Sequence, residues 1–142
     1  METRRIKDTQ RKEVKRFCDG LQDNREAWTK GILEPVIKNI GLCAVDKGRI
    51  IGVVYVFLNK NFPMTTGTVG IVISNSERGK GIGQKLLSEV EKVALEENLN
   101  KLRAQVRTTN PKSTWLFIKA GYRIVEYQES KVKNVYILEK SI

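Results

Sequence analysis

Three glycines alternate in the stretch Ser74 to Leu87, which reads Ser-Asn-Ser-Glu-Arg-Gly-Lys-Gly-Ile-Gly-Gln-Lys-Leu-Leu. Gly79, Gly81 and Gly83 have no Cβ, so an anion can come close to their main chain. Arg78 precedes them and Lys80 stands among them, which adds fixed positive charge. The residues that follow read as the opening of an amphipathic helix. Its leading N–H groups lack intrahelical acceptors and lie at the positive end of the helix dipole. This combination suits phosphate, and a pyrophosphate better than a lone ion. A plain turn from strand to helix needs one glycine, so turning alone does not explain three.

Two familiar nucleotide patterns do not fit. GxxxxGK[ST] is absent, and the glycines run GxGxG where a dinucleotide fold has GxGxxG after the first strand of a repeating βαβ array. Zinc chemistry is also unsupported. The chain has no histidine, and its two cysteines, Cys18 and Cys43, lack a CxxC partner. A Cys–His dyad is ruled out for the same reason.

The elements that must hold the glycine turn follow from periodicity. Thr3 to Ile6 reads as a short strand, and Thr9 to Leu21 as a helix with Val14, Phe17, Cys18 and Leu21 on one face and Gly20 near its end. A second helix is expected after Asn24, carrying Trp28 and Ile32. Leu42 to Val45, the turn Asp46-Lys47-Gly48-Arg49 and Ile50 to Leu58 read as a hairpin. Thr68 to Ser74 is apolar without alternation, as expected of a strand covered on both faces, and Gly70 within it marks a bulge or a close backbone approach. Gly81 to Glu97 is the clearest helix, with Ile82, Leu86, Val90, Val93 and Ala94 in one stripe. Leu102 to Arg107 alternates as a half-buried strand. Asn110-Pro111 opens a helix that Gly121 stops. Tyr122 to Tyr127 and Val132 to Leu138 close the chain as a hairpin turned near Ser130. The result is one α/β (α+β) domain over residues 1–142, with a mixed sheet of about six or seven strands flanked by about four helices.

Arg78-Gly79-Lys80-Gly81-Ile82-Gly83 resembles the [Q/R]xxGx[G/A] signature of the GNAT superfamily of N-acetyltransferases. The Asn110-opened helix ending Leu116-Phe117-Ile118-Lys119-Ala120-Gly121-Tyr122 resembles the second half of the same family. Residues 50 to 127 match best, and the first 40 match in pattern only. The resemblance implies acetyl-CoA as donor and a primary amine as acceptor, with direct attack in a ternary complex. It implies that the main chain of Ile71, Val72 and Ile73 pairs with the pantetheine arm. It also implies that Arg78, Gly79, Lys80, Gly81, Ile82, Gly83 and Gln84 hold the pyrophosphate. Asn110 would contact the arm near the thioester and Phe117 would flank it. Helix capping and core packing are the plainer roles of these last two residues.

One departure stands out. Many relatives have a tyrosine where this chain has Phe117, and phenylalanine cannot protonate a departing thiolate. A thiol pKa near ~8.5 makes CoA a tolerable leaving group without that acid. Tyr122, Tyr127 and Tyr136 are the other phenols of the C-terminal half. The strand Thr68 to Ser74 also lacks a carboxylate. Glu126 and Tyr127, with Glu129, are the candidates for proton transfer, and no residue is assigned outright. A lysine amine must shed about 3.4 pK units of proton at pH 7, roughly 4.6 kcal/mol, where an α-amine needs about 1 kcal/mol. A site without an evident base therefore matches an α-amine, an arylamine or another weakly basic amine. The loop Asn59 to Thr66 and the helices between residues 9 and 38 would shape the acceptor pocket, with Trp28, Phe62 and Met64 at hand.

The formal charge is +10, from 26 basic and 16 acidic residues spread along the chain. Such a field draws polyanions in general. A basic nucleic-acid-binding domain is one alternative, but aromatics are 7% of the chain and do not interleave with a basic run. An acyl-CoA-binding regulator without turnover is the other. No apolar run approaches the ~20 residues needed to span a bilayer, and no secretory signal is visible. The expectation is a cytoplasmic protein that meets a small-molecule or peptide amine, without metal, and self-associates as members of that family commonly do.

Overall fold

The computed structural model describes residues 1–7, 11–20 and 40–142. Its strands are β1 (Glu2–Arg5), β2 (Ile40–Asp46), β3 (Arg49–Leu58), β4 (Thr66–Ile73), β5 (Lys101–Arg107), β6 (Arg123–Gln128) and β7 (Val135–Ser141). Three α-helices join them among the described residues: α1 (Arg11–Asp19), α2 (Ile82–Glu96) and α3 (Pro111–Lys119). The strands form one sheet in the order β1-β2-β3-β4-β5-β7-β6. Every neighbouring pair is antiparallel except β4 and β5, which run parallel through the crossover helix α2.

Local chemistry explains the punctuation. Lys47 (φ 51) and Gly48 (φ 76) both take positive φ, as a two-residue hairpin turn between Asp46 and Arg49 requires. Asn110 caps α3 by accepting the Ser113 N–H at 3.2 Å, and Pro111 supplies the helical φ at the first position. Ser130 organises the last turn, accepting from Val132 and Lys133 N–H and donating to the Lys133 carbonyl. That turn delays the final strand to Val135, three residues beyond the expected start at Val132.

The core lies on both faces of the sheet. On one face Ile82, Leu86, Leu87, Val90 and Ala94 of α2 pack with Phe117 of α3 onto Leu42, Val54, Val56, Val69, Leu102, Ala104 and Leu138. On the other, Val14 and Cys18 of α1 pack with Cys43, Val45 and Val53. The missing alternation in β4 follows: Val69, Ile71 and Ile73 belong to the first cluster, and Val72 to the second. The helix expected after Asn24, with Trp28 and Ile32, lies outside the described residues. A short 3₁₀ turn at Asn75–Glu77, which periodicity does not signal, links β4 to the glycine segment. Among the described residues no helix is long and apolar enough to cross a membrane.

Candidate functional site

The sheet splits between its two parallel strands. The β4–β5 ladder runs only from Thr66↔Lys101 to Thr68↔Arg103. Beyond it β4 continues to Ile73 beside β3 alone, and β5 continues to Arg107 beside β7 alone. Ser74 N–H donates to the Ile51 carbonyl, on the β3 side. Antiparallel alternation then turns the main chain of Val72 and Gly70 toward β3, and that of Ile73, Ile71 and Val69 toward the split. Ile71 and Ile73 thus face the opening, whereas the main chain of Val72 is engaged in the β3 ladder. The Ile73 carbonyl accepts from Arg78 Nε at 3.3 Å.

The glycine segment sits at the mouth of this split. Gly79 and Gly81 both have φ 80, a conformation that side chains rarely adopt, and a Cβ at either would meet open space. Gly81 is the N-cap of α2, and no side chain caps that end. Lys85 N–H is the first to close a helical turn, onto the Gly81 carbonyl. The N–H groups of Ile82, Gly83 and Gln84 ahead of it therefore have no intrahelical acceptor. The flanking side chains are engaged differently. Lys80 Nζ pairs with Glu77 at 3.0 Å, and Gln84 Nε2 donates to the Leu116 carbonyl at 3.1 Å. Gly83 is buried, and its missing Cβ makes room for Leu116.

Across the split, Asn110 spends its Oδ1 on the α3 cap and keeps Nδ2 as a donor; its N–H bonds the Arg107 carbonyl. Phe117 is a core residue, 3% exposed, edge-on to Tyr122 with ring centroids 5.0 Å apart. The Tyr122 hydroxyl is buried with no hydrogen-bond partner, and burial, then Glu91, push its pKa well above the usual phenol range. Glu91 lies well along α2 and pairs with Lys140 at 2.7 Å, so Tyr122 points toward the closed end of the sheet and away from the split.

The opposite face of the sheet carries a second group of polar residues. Arg103 marks the vertex of the split. It holds Glu139 at 3.0 Å and Glu126 at 3.8 Å, and lies over the Phe62 ring at 4.7 Å. Tyr127, by contrast, stands on the exposed strand β6 opposite Tyr136, which packs on the α2–α3 face; its hydroxyl bonds Glu129 at 3.1 Å and its ring lies 5.8 Å from that of Tyr136. Desolvation and that bond raise the Tyr127 phenol. Met64 is 83% exposed, and Trp28 lies outside the described residues. Sequence reading passed over Tyr55. It is the cross-strand partner of Gly70 on the α1 face, the face of Arg103, and a Cβ at residue 70 would collide with its Cζ and Oη. Gly70 therefore marks a close approach without a bulge. Burial, then the Cys18 thiol, raise the Tyr55 phenol.

Solved structures with the same fold are numerous in kind. An acetyltransferase of the GNAT family from Streptococcus pneumoniae is 22% identical, with 99% of this chain and 98% of that one covered at a TM-score of 0.80. The ribosomal-protein-alanine N-acetyltransferase of Brucella melitensis is 16% identical over the full length of both chains, with a TM-score of 0.78. The protein yncA of Salmonella typhimurium, solved with acetyl-CoA, is 15% identical, with 99% of this chain and 93% of that one covered at a TM-score of 0.75. No curated protein matches the chain in sequence. The sequence model of the acetyltransferase (GNAT) family matches residues 7–122, more than half of the chain, and carries both the glycine segment and the Asn110 helix: the chain belongs to that family.

Proposed function

We propose that this chain transfers an acetyl group from acetyl-CoA to a primary amine, by direct attack of the amine on the thioester in a ternary complex. One observation carries the reading: the sheet opens between β4 and β5 directly beside the uncapped N-terminus of α2. An extended arm with two amides can add to an open strand edge, and its diphosphate can meet free N–H groups at the same end. The main chain of Ile71 and Ile73 pairs with the pantetheine arm in this reading. The N–H groups from Gly79 to Gln84 take the pyrophosphate, with Arg78 and Lys80 released from Ile73 and Glu77 to meet it. Asn110 Nδ2 donates to the arm from the other side, and Phe117 backs it as apolar wall.

The acceptor is a weakly basic amine, an α-amine or an arylamine. No carboxylate lies in β4, and Glu126 is held by Arg103. An amine already deprotonated in part needs least help. A fluorescent thiol-release screen over an amine panel tests this, alongside the rise in Tm that acetyl-CoA produces by mass action. Faster acetylation of lysine ε-amines than of α-amines at neutral pH would overturn the acceptor assignment. A second reading, an acyl-CoA-binding regulator, draws on Phe117, which has no proton to give. It predicts a Tm rise without thiol release from any amine.

A further inference from the structure

We infer that Tyr55 supplies the proton donor at the reacting sulfur, in place of the phenol that position 117 lacks; this rests on the acetyl-CoA reading above. The argument is one of reach. From phosphate to sulfur the pantetheine arm counts about as many bonds as four residues of backbone, roughly 13 Å when extended. Laid along the open edge of β4 from its phosphate end at Ile73, it brings the sulfur level with Val69 and Gly70. Gly70 is the one position of the open half of β4 without a side chain. The space that a side chain would fill is taken by the tip of the Tyr55 ring, with both Cζ and Oη over the glycine. The ring spans from β3 across β4 toward the split. It stacks along its own strand on Phe57, centroids 6.3 Å apart, and packs with the cluster of Val14, Cys18 and Val53. Its body is thus fixed, and its hydroxyl has no hydrogen-bond partner among the described residues. It is also not among the fully occluded polar atoms. The other phenols stand elsewhere: Tyr122 faces Glu91, and Tyr127 and Tyr136 sit on β6 and β7.

The step balances. The amine nitrogen attacks the thioester carbonyl carbon, so the C–N bond forms and the C–S pair goes to sulfur. Tyr55 Oη gives its proton to that sulfur. The phenolate recovers one proton from the acetylated nitrogen, through water, which leaves an amide and the CoA thiol.

Tyr55→Phe keeps the ring and its packing and removes only the hydroxyl. With acetyl-CoA as donor it should lower kcat about 100-fold, the low end for a general acid, while KM for acetyl-CoA stays within about twofold. Acetyl-seleno-CoA has the same shape but a far more acidic leaving group, so the loss should shrink to a few-fold with that donor. Equal losses with both donors, or no loss with either, would sink the proposal. A direct readout needs no acceptor: in protein labelled with 3-fluorotyrosine, acetyl-CoA should shift the ¹⁹F resonance that Tyr55→Phe deletes. Acetyl-CoA binding that raises Tm while this resonance stays put overturns the proposal alone. Absence of any acetyl-CoA binding overturns the acetyl-transfer reading beneath it.

Discussion

A Cβ on residue 83 would stand 3.0 Å from Leu116 Cδ1 and 3.1 Å from its Cδ2, so the third glycine of the segment is where α2 and α3 touch. Gln84, the next residue, ties the same two helices together through the Leu116 carbonyl. The alternating glycines therefore divide by role. Two are there for backbone conformation and open approach, and one for packing.

Gly83→Ala and Gly83→Val should separate these effects. Alanine gains about 1 kcal/mol of helix propensity over glycine, and the half-buried Leu116 can give by a few tenths of an ångström. We expect the alanine variant within about 1 kcal/mol of the parent. Valine adds two methyl groups and should cost about 1–3 kcal/mol by overpacking. Urea unfolding measures both. A valine variant as stable as the parent would show that α2 and α3 are not in the described contact.

Gly81→Glu makes the complementary test. Its Cβ meets no atom within 4 Å, so the fold should survive, at a strain of about 1–3 kcal/mol for a positive φ. The new carboxylate would stand at the end of α2 where a diphosphate is proposed to bind, and like charges repel there. Calorimetry should show acetyl-CoA affinity weakened by at least about tenfold, or ~1.4 kcal/mol. Unchanged affinity in a folded variant would remove the pyrophosphate from this corner.

Much of this corner was readable in the sequence because it is local. Gly79, Gly81 and the helix stripe that follows lie within a few residues of one another, and backbone rules act at that range. The same holds for the Asn110-Pro111 cap and the Lys47-Gly48 hairpin. What was not readable depends on register. That the main chain of Ile71 and Ile73, and not of Val72, faces the split follows from the pairing with β3. Tyr55 is 15 residues before Gly70 in number and directly beside it in space. An isolated glycine in an apolar strand signals a close approach without naming what approaches. Phe117 shows the opposite limit. Its type was informative, but its edge-on contact with Tyr122 in the core belongs to tertiary packing.

The Tyr122 hydroxyl offers a stability prediction with a definite sign. It is buried without a partner, which costs about 1–3 kcal/mol, whereas a phenyl ring of the same shape has nothing to satisfy. Tyr122→Phe should raise stability by about 1 kcal/mol, roughly 3–5 °C in Tm. Phe117→Tyr, by contrast, places a new hydroxyl on a ring only 3% exposed and should lower Tm. The pH dependence of Tyr122 follows from its raised pKa. Below the ordinary phenol value of 10 both folded and unfolded chains hold the proton. Above it only the unfolded chain releases it, so stability falls as pH rises. Tyr122→Phe should flatten that alkaline decline, as Tm measured between pH 9 and 11 would reveal. A lower Tm for Tyr122→Phe at neutral pH would mean that the hydroxyl has a partner after all.

Glu126 and Tyr127 are neighbours on the exposed strand β6. Glu126 faces Arg103 at 3.8 Å on a surface strand, and its carboxylate is half exposed. Tyr127 gives its hydroxyl to Glu129, so the phenol acts as donor in that pair and not as acceptor. Neither arrangement is that of a poised base, and a weakly basic acceptor amine does not need one. Glu126→Gln and Tyr127→Phe should each leave kcat for an α-amine within about threefold, because exposed pairs of this kind contribute about 0–1 kcal/mol. The acidic limb of the kcat/KM profile should stay at the pKa of the acceptor and move when the acceptor is changed. Should Glu126→Gln instead cost about 100-fold and erase that limb, Glu126 would be the base, with Arg103 moving off it when substrate binds.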